Sequence, residues 1–120
     1  MKTIQIIEDS APLRQLLTEF FAVKGYRTIE SMDGQEALEM FKREEPDLIL
    51  LDLLMPHVNG YTVIKEIKKT KETPIIVMSS QAMSDNVEKS ETLGADEYIV
   101  KPFSMTALFN TVETMLNQSL

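Results

Sequence analysis

The sequence has no cysteine and a single histidine, His57. The first absence excludes disulfides, thiolate nucleophiles and cysteine metal sites, and it suits a reducing compartment. A lone histidine in a loop beside Pro56 reads as an exposed side chain rather than a relay group or a metal ligand. No apolar stretch approaches the roughly 20 residues of a membrane span. The opening Met1-Lys2-Thr3-Ile4 lacks the shape of a signal peptide and runs straight into a strand pattern. The expectation is a soluble, cytoplasmic protein without membrane insertion. Basic residues are also scarce, 12 Lys and Arg against 19 Asp and Glu, for a net charge of −7. No basic patch offsets that charge, which argues against direct binding to nucleic acid. Linkers and low-complexity segments are missing too, so residues 1–120 read as one domain, with 43% apolar residues to build its core.

What is present is a fivefold alternation of strand and helix patterns. Residues 3–8 read as a strand, and Ser10 is a candidate N-cap with Pro12 in the first helical turn. Leu13, Leu16, Leu17, Phe20 and Phe21 follow the spacing of a buried helix face, and Gly25 ends that helix. Residues 26–30 alternate in character, as an edge strand does. Asp33 caps a second helix that buries Ala37, Leu38 and Phe41. Asp47 to Leu51 is the most continuous apolar strand and belongs in the centre of a sheet. The loop Met55 to Gly60 leads to a third helix with Val63, Ile64 and Ile67 inward. Ile75 to Met78 forms a fourth strand, and Ser84 caps a fourth helix whose only large apolar residues are Val87 and Leu93. That helix, at about 84–93, has little to hold it down. Gly94 ends it, a fifth strand covers roughly 96–100, and a last helix is expected to bury Met105, Leu108, Phe109, Val112, Met115 and Leu116, again at helical spacing.

Five such units imply an α/β fold with a parallel sheet and helices on both faces. A polar second strand at the edge and an apolar third strand inside favour the order 2-1-3-4-5. The ligand crevice of such a sheet lies at the carboxyl ends of strands one and three, where the winding reverses.

Charges gather at those ends. Glu8 and Asp9 close the first strand, Asp52 the third, and Lys101 follows the fifth, with Pro102 next to it. Three carboxylates brought together repel, and their pKa values rise unless a cation intervenes. Magnesium suits such a site, since it takes oxygen ligands and retains waters. Asp9 and Asp52 would bind it directly, Glu8 through water, and the backbone carbonyl of Leu54 would add an oxygen. Asp52 is the candidate nucleophile: a carboxylate attacks a phosphoryl group to give an aspartyl phosphate. Lys101 would neutralise the growing charge, and the Ser79 hydroxyl at the end of the fourth strand would donate to a phosphoryl oxygen. An X-Pro bond at Lys101-Pro102 is cis at modest cost, which would aim the lysine inward.

With these residues in place, the chain resembles the receiver domain of two-component response regulators, of the chemotaxis-regulator type. The matching elements are Ile7-Glu8-Asp9, the run from Asp52 through Met55-Pro56-His57 to Gly60, Met78-Ser79-Ser80, Gly94-Ala95-Asp96 and Tyr98-Ile99-Val100-Lys101-Pro102-Phe103. The resemblance covers essentially the whole chain. It implies a flavodoxin-like, doubly wound sheet with five helices, and phosphorylation of Asp52 by a histidine kinase or a phosphotransfer protein. It implies a magnesium ion on Asp9, Asp52 and the Leu54 carbonyl with Glu8 beside them, phosphoryl contacts from Ser79 and Lys101, and Tyr98 as the aromatic switch residue. Glu8 stands where many members carry aspartate, and Ser79 where threonine is more frequent. Leu54 and Gln81 occupy the positions that tune phosphoryl lifetime in the family, and neither is acidic.

Other readings fit less well. A flavin carrier of this topology needs hydroxyl- and glycine-rich residues after the first strand, where Glu8-Asp9-Ser10 stands. An aspartate-nucleophile phosphatase usually carries a second aspartate two residues after the nucleophile, where Leu54 stands. A degenerate receiver that acts only as an interaction module would have no need of the acids, Ser79 and Lys101. The expected output is a phosphorylation-switched module that catalyses its own phosphorylation and dephosphorylation without being a turnover enzyme. The fourth helix should shift, so that it, the fifth strand and the last helix present the surface for a target protein or a phosphorylation-dependent homodimer. A free-standing regulator and the receiver of a longer protein fit equally.

Overall fold

The structure is a computed structural model and describes residues 1–55, 57–81 and 83–117. Strands β1 (Thr3–Ile7), β2 (Arg27–Ser31), β3 (Leu48–Asp52), β4 (Ile75–Ser79) and β5 (Glu97–Val100) alternate with helices α1 (Ala11–Val23), α2 (Gly34–Glu44), α3 (Gly60–Thr70), α4 (Ser84–Leu93) and α5 (Met105–Leu116). All pairings are parallel, and the order is β2-β1-β3-β4-β5, as the sequence pattern predicts. Register brings Ile7 beside Leu51 and Asp52 beside Met78, so the carboxyl ends of β1, β3 and β4 lie side by side. No helix among the described residues is long and apolar enough to cross a membrane.

The strand alternation splits the core in two. Ile7, Ile49, Leu51, Ile75 and Val77 face Ala37, Phe41, Val63, Ile64 and Ile67 of α2 and α3. Ile4, Ile6, Leu48, Leu50, Ile76 and Met78 face Leu17, Phe21, Leu108 and Val112 of α1 and α5. β1, β3 and β4 are buried along their whole length, as strands covered on both faces are.

Several local expectations are corrected. Leu16 is 52% exposed, because Leu17 and Phe21 already fill the space between α1 and the sheet. Ser10 occupies the N-cap position of α1, but its side chain makes no cap hydrogen bond. Met83, not Ser84, is the N-cap of α4, which begins without a side-chain cap. In α5 only Leu108 and Val112 are buried; Met105, Phe109, Met115 and Leu116 are half-buried along the edge of that core. α2 ends on Glu45 in the left-handed region, at φ 46°, a place where glycine is the usual signal. Asp33 does cap α2, accepting from the Glu36 amide at 2.9 Å.

Candidate functional site

The chain leaves β1 at Glu8, whose amide donates to the Ser31 carbonyl at 3.0 Å, so the residue continues the ladder with β2. Its side chain is fully buried. One carboxylate oxygen accepts from the Ser10 amide at 3.1 Å, and the other accepts from the Lys101 ammonium at 2.8 Å. Asp9, next in sequence, is exposed. Arg14 in the first turns of α1 reaches back under this loop: its guanidinium donates to the Glu8 carbonyl at 2.8 Å and pairs with Glu30 at 3.3 Å. Arg14 thus fixes the backbone that carries both acids. The sequence pattern gives no hint of that role beyond a charge in a first helical turn.

Asp52 is the last residue of β3 and is 5% exposed. Its Oδ1 accepts from the Leu54 amide at 3.1 Å, and its Oδ2 lies 3.5 Å from the Lys101 ammonium. Glu8, Asp9 and Asp52 each offer an oxygen, and the three oxygens lie within 4.8 Å of one another. Burial, and after it the charge of Glu8, push the Asp52 carboxyl up to about 7; the Leu54 amide and Lys101 pull the other way and lose. Burial works against the charge of Lys101, but the hydrogen bond to Glu8 and the nearby charges of Asp52 and Glu8 hold its pKa above the ordinary lysine value. One ammonium therefore serves two buried carboxylates while a third stands at the rim. This all-oxygen, under-neutralised donor set fits a hard divalent cation.

The opposite wall comes from β4 and β5. The Lys101 amide donates to the Ser79 carbonyl at 2.7 Å, which extends the β4–β5 pairing to the lysine. The Lys101–Pro102 peptide bond is cis. Ser79 is fully buried, and its hydroxyl oxygen accepts from the Gln81 amide at 3.1 Å. The carbonyl of the same Gln81 accepts from the Tyr98 hydroxyl. Gln81 therefore links the serine at the site to the tyrosine on β5 through its backbone, a link that no residue-type pattern could reveal. Tyr98 is half-buried against the core that α2 and α3 cover.

Two further candidates lie in the loop that follows β3. Leu54 is 52% exposed, and its amide is committed to Asp52. His57 is exposed at φ 70° in the loop toward α3. Pro56 lies outside the described residues.

Comparison with known proteins converges on one family. The model of the response regulator receiver domain matches residues 4–113. The probable transcriptional regulator ycf27 of Porphyridium aerugineum is 42% identical over 116 residues, which cover 96% of this chain and 48% of that protein. The chain spans about half the length of the curated relatives of this kind that it matches. Among solved structures, the receiver domain of the Francisella response regulator 1452 superposes with a TM-score of 0.94 at 26% identity, over 100% of both chains. The activated N-terminal receiver domain of Klebsiella pneumoniae RstA, determined with BeF3, gives a TM-score of 0.93 at 26% identity, over 98% of this chain and 100% of that one.

Proposed function

This chain belongs to the response regulator receiver domain family of two-component systems, and on that premise we propose that its Asp52 is a phosphoacceptor whose occupancy is read on a distant surface. The observation that carries this reading is Asp52 itself, a nearly buried carboxylate at the end of the central strand, 3.5 Å from Lys101 and inside a cluster of three acids. The same reading takes residues 1–120 as one receiver domain.

In this account Asp9, Asp52 and the Leu54 carbonyl hold magnesium, with Glu8 contributing at most through water. When bound, the ion supplies positive charge against the phosphoryl oxygens. The residues do the rest. An Asp52 oxygen attacks the phosphorus of the donor, a new O–P bond forms, and the donor group leaves with the electrons of its own bond to phosphorus. Lys101 shifts from Glu8 toward the phosphoryl group, and the Ser79 hydroxyl donates to one of its oxygens. The domain thereby promotes its own phosphorylation and, with water as the acceptor, its own dephosphorylation.

The donor is a histidine kinase or a phosphotransfer protein. A groove of about 430 Å³ beside Lys101, lined by Leu13, Leu16, Phe103 and Met105, offers such a partner an apolar footing on the lysine side of the site. On the output side, Ser79 moving toward the phosphoryl group pulls on Gln81, and Gln81 holds Tyr98. α4, β5 and α5 then change their relation, and this face meets a downstream protein or a second copy of the chain.

Acetyl phosphate or phosphoramidate with magnesium tests the assignment. Peptide mapping should place one acid-stable, base-labile phosphate on Asp52, and Asp52→Asn should keep the fold and lose the label. Stoichiometric labelling of that variant elsewhere contradicts the assignment.

A further inference from the structure

α4 is the least embedded helix of the fold. Ser90 is its one buried residue, and that hydroxyl is spent on the helix itself, donating to the Val87 carbonyl at 2.8 Å. Val87 and Leu93 are only half-buried. Something else must set its place on the domain. Among the described residues, the side-chain polar contacts of α4 with the rest of the chain converge on one residue, Tyr61 in the first turn of α3. The Tyr61 hydroxyl donates to the Asn86 side-chain oxygen at 3.1 Å. The Lys89 ammonium sits 4.3 Å from the centre of the Tyr61 ring. Asn86 and Lys89 are three residues apart and so share one face of α4. The two contacts grip the same helix face by the edge and the face of a single ring.

Tyr61 is also next to the switch. Its ring and that of Tyr98 pack against the same core. Burial, and secondly the neighbouring Tyr98 phenol, raise the pKa of Tyr61. Tyr98 in turn holds the Gln81 carbonyl, three residues before α4 begins. The two tyrosines thus fix the approach to α4 and its first two turns.

We propose that Tyr61 is the positioning residue of the switch: its hydroxyl and ring latch α4 onto α3, and the strength of that latch sets how readily the activated arrangement forms. The proposal rests on the phosphoacceptor reading for its consequence, since a shift of α4 must break the Tyr61–Asn86 bond. The latch itself is a property of the unphosphorylated chain. A weaker latch raises the population of the shifted form, and any ligand selective for that form then binds more tightly in proportion.

Amide hydrogen exchange on the full chain without phosphodonor tests the latch. Tyr61→Phe keeps the ring and removes the hydroxyl. Asn86→Ala removes the acceptor and at the same time raises helix propensity, so a merely local role for Asn86 would slow exchange in α4. The latch predicts the opposite: both variants speed exchange at residues 84–93 by about fivefold, the size expected from one lost hydrogen bond, with β1 and β3 unchanged. The double variant should exchange no faster than either single one. Unchanged or slower exchange in both single variants, or effects that multiply in the double variant, overturns the latch. A beryllofluoride titration with magnesium then reads the coupling. Tyr61→Phe should bind several-fold more tightly than wild type, and equal affinity despite a loosened α4 overturns the coupling to the switch. Failure of the wild-type protein to bind beryllofluoride at all would instead strike the phosphoacceptor reading and leave the exchange result standing.

Discussion

The Lys101 ammonium lies 2.8 Å from Glu8 and 3.5 Å from Asp52. The lysine at the end of β5 therefore belongs first to the buried glutamate and only second to the candidate nucleophile. Burial first, and then the charge of Glu8, push the Asp52 carboxyl up to about 7, and a lysine bound more closely to Glu8 does not offset them. Glu8→Gln removes the like charge and frees the ammonium for Asp52, so both changes favour ionised Asp52. The Asp52 pKa should fall below 7 in that variant, measured by carbon-13 NMR of the side-chain carboxyl. A pKa that stays in place assigns the shift to burial alone.

The raised pKa has a stability consequence with a definite sign. Asp52 binds its proton more tightly in the folded state, at about 7, than in the unfolded chain, near 3.8. Between those values the folded state holds more protons, so stability falls as pH rises through the window and stays reduced above it. Asp52→Asn removes the ionisation. Without metal, the variant should match wild type near pH 4 and exceed it at pH 8 by roughly 2–4 kcal/mol, the upper figure being the full 3.8-to-7 difference and the lower one allowing for solvent screening. Urea unfolding at the two pH values checks this; an advantage that is larger at pH 4 has the wrong sign.

Magnesium should relieve the same repulsion. A ligand bound only by the folded chain stabilises it by about 1.4 kcal/mol at ten times its dissociation constant. The melting temperature of wild type should rise with millimolar magnesium. Asp9→Ala should be more stable than wild type without metal and should respond less to it. Equal shifts for both proteins count against Asp9 as a ligand.

Gly60 tests how tightly the site is coupled to its scaffold. A Cβ there would come within 2.6 Å of the Leu53 Cα and 3.0 Å of the Leu53 carbonyl oxygen. The Gly60 amide also donates to that carbonyl at 3.0 Å. Gly60→Ala must push α3 away from the residue that follows Asp52. It should cost about 1–3 kcal/mol in denaturant unfolding, and it should slow labelling of Asp52 by acetyl phosphate. A variant with wild-type stability would show that α3 yields freely here.

Much of the fold was legible because strand ends carry their own labels. Leu48 to Leu51 is apolar throughout and could only be central, whereas the mixed run at 26–30 could only be an edge. Glu8, Asp9, Asp52 and Lys101 stood out as charges closing apolar strands, and the structure brings them together. What escaped were relations set by packing and backbone. Leu16 has helical spacing with the buried leucines, yet it rides one position too far round α1 and faces outward. Glu45 takes a left-handed cap without glycine, at φ 46°. Gln81 acts through its amide and carbonyl, which carry no sequence signature. Gln5 was overlooked, although a polar side chain inside an apolar strand needs a partner; it is fully buried and donates to Ser31 and to the Ala37 carbonyl.

The central claim, that occupancy at Asp52 is transmitted to a distant face, is tested most directly by amide exchange along the wild-type chain with and without magnesium and beryllofluoride. Changes should concentrate at residues 79–105 and in the 53–60 loop, spreading from Ser79 through Gln81 to α4 and β5, and Ser79→Ala should abolish the distant part of the response. Changes confined to the pocket around Glu8, Asp9 and Asp52, or a distant response that survives Ser79→Ala, would contradict the account.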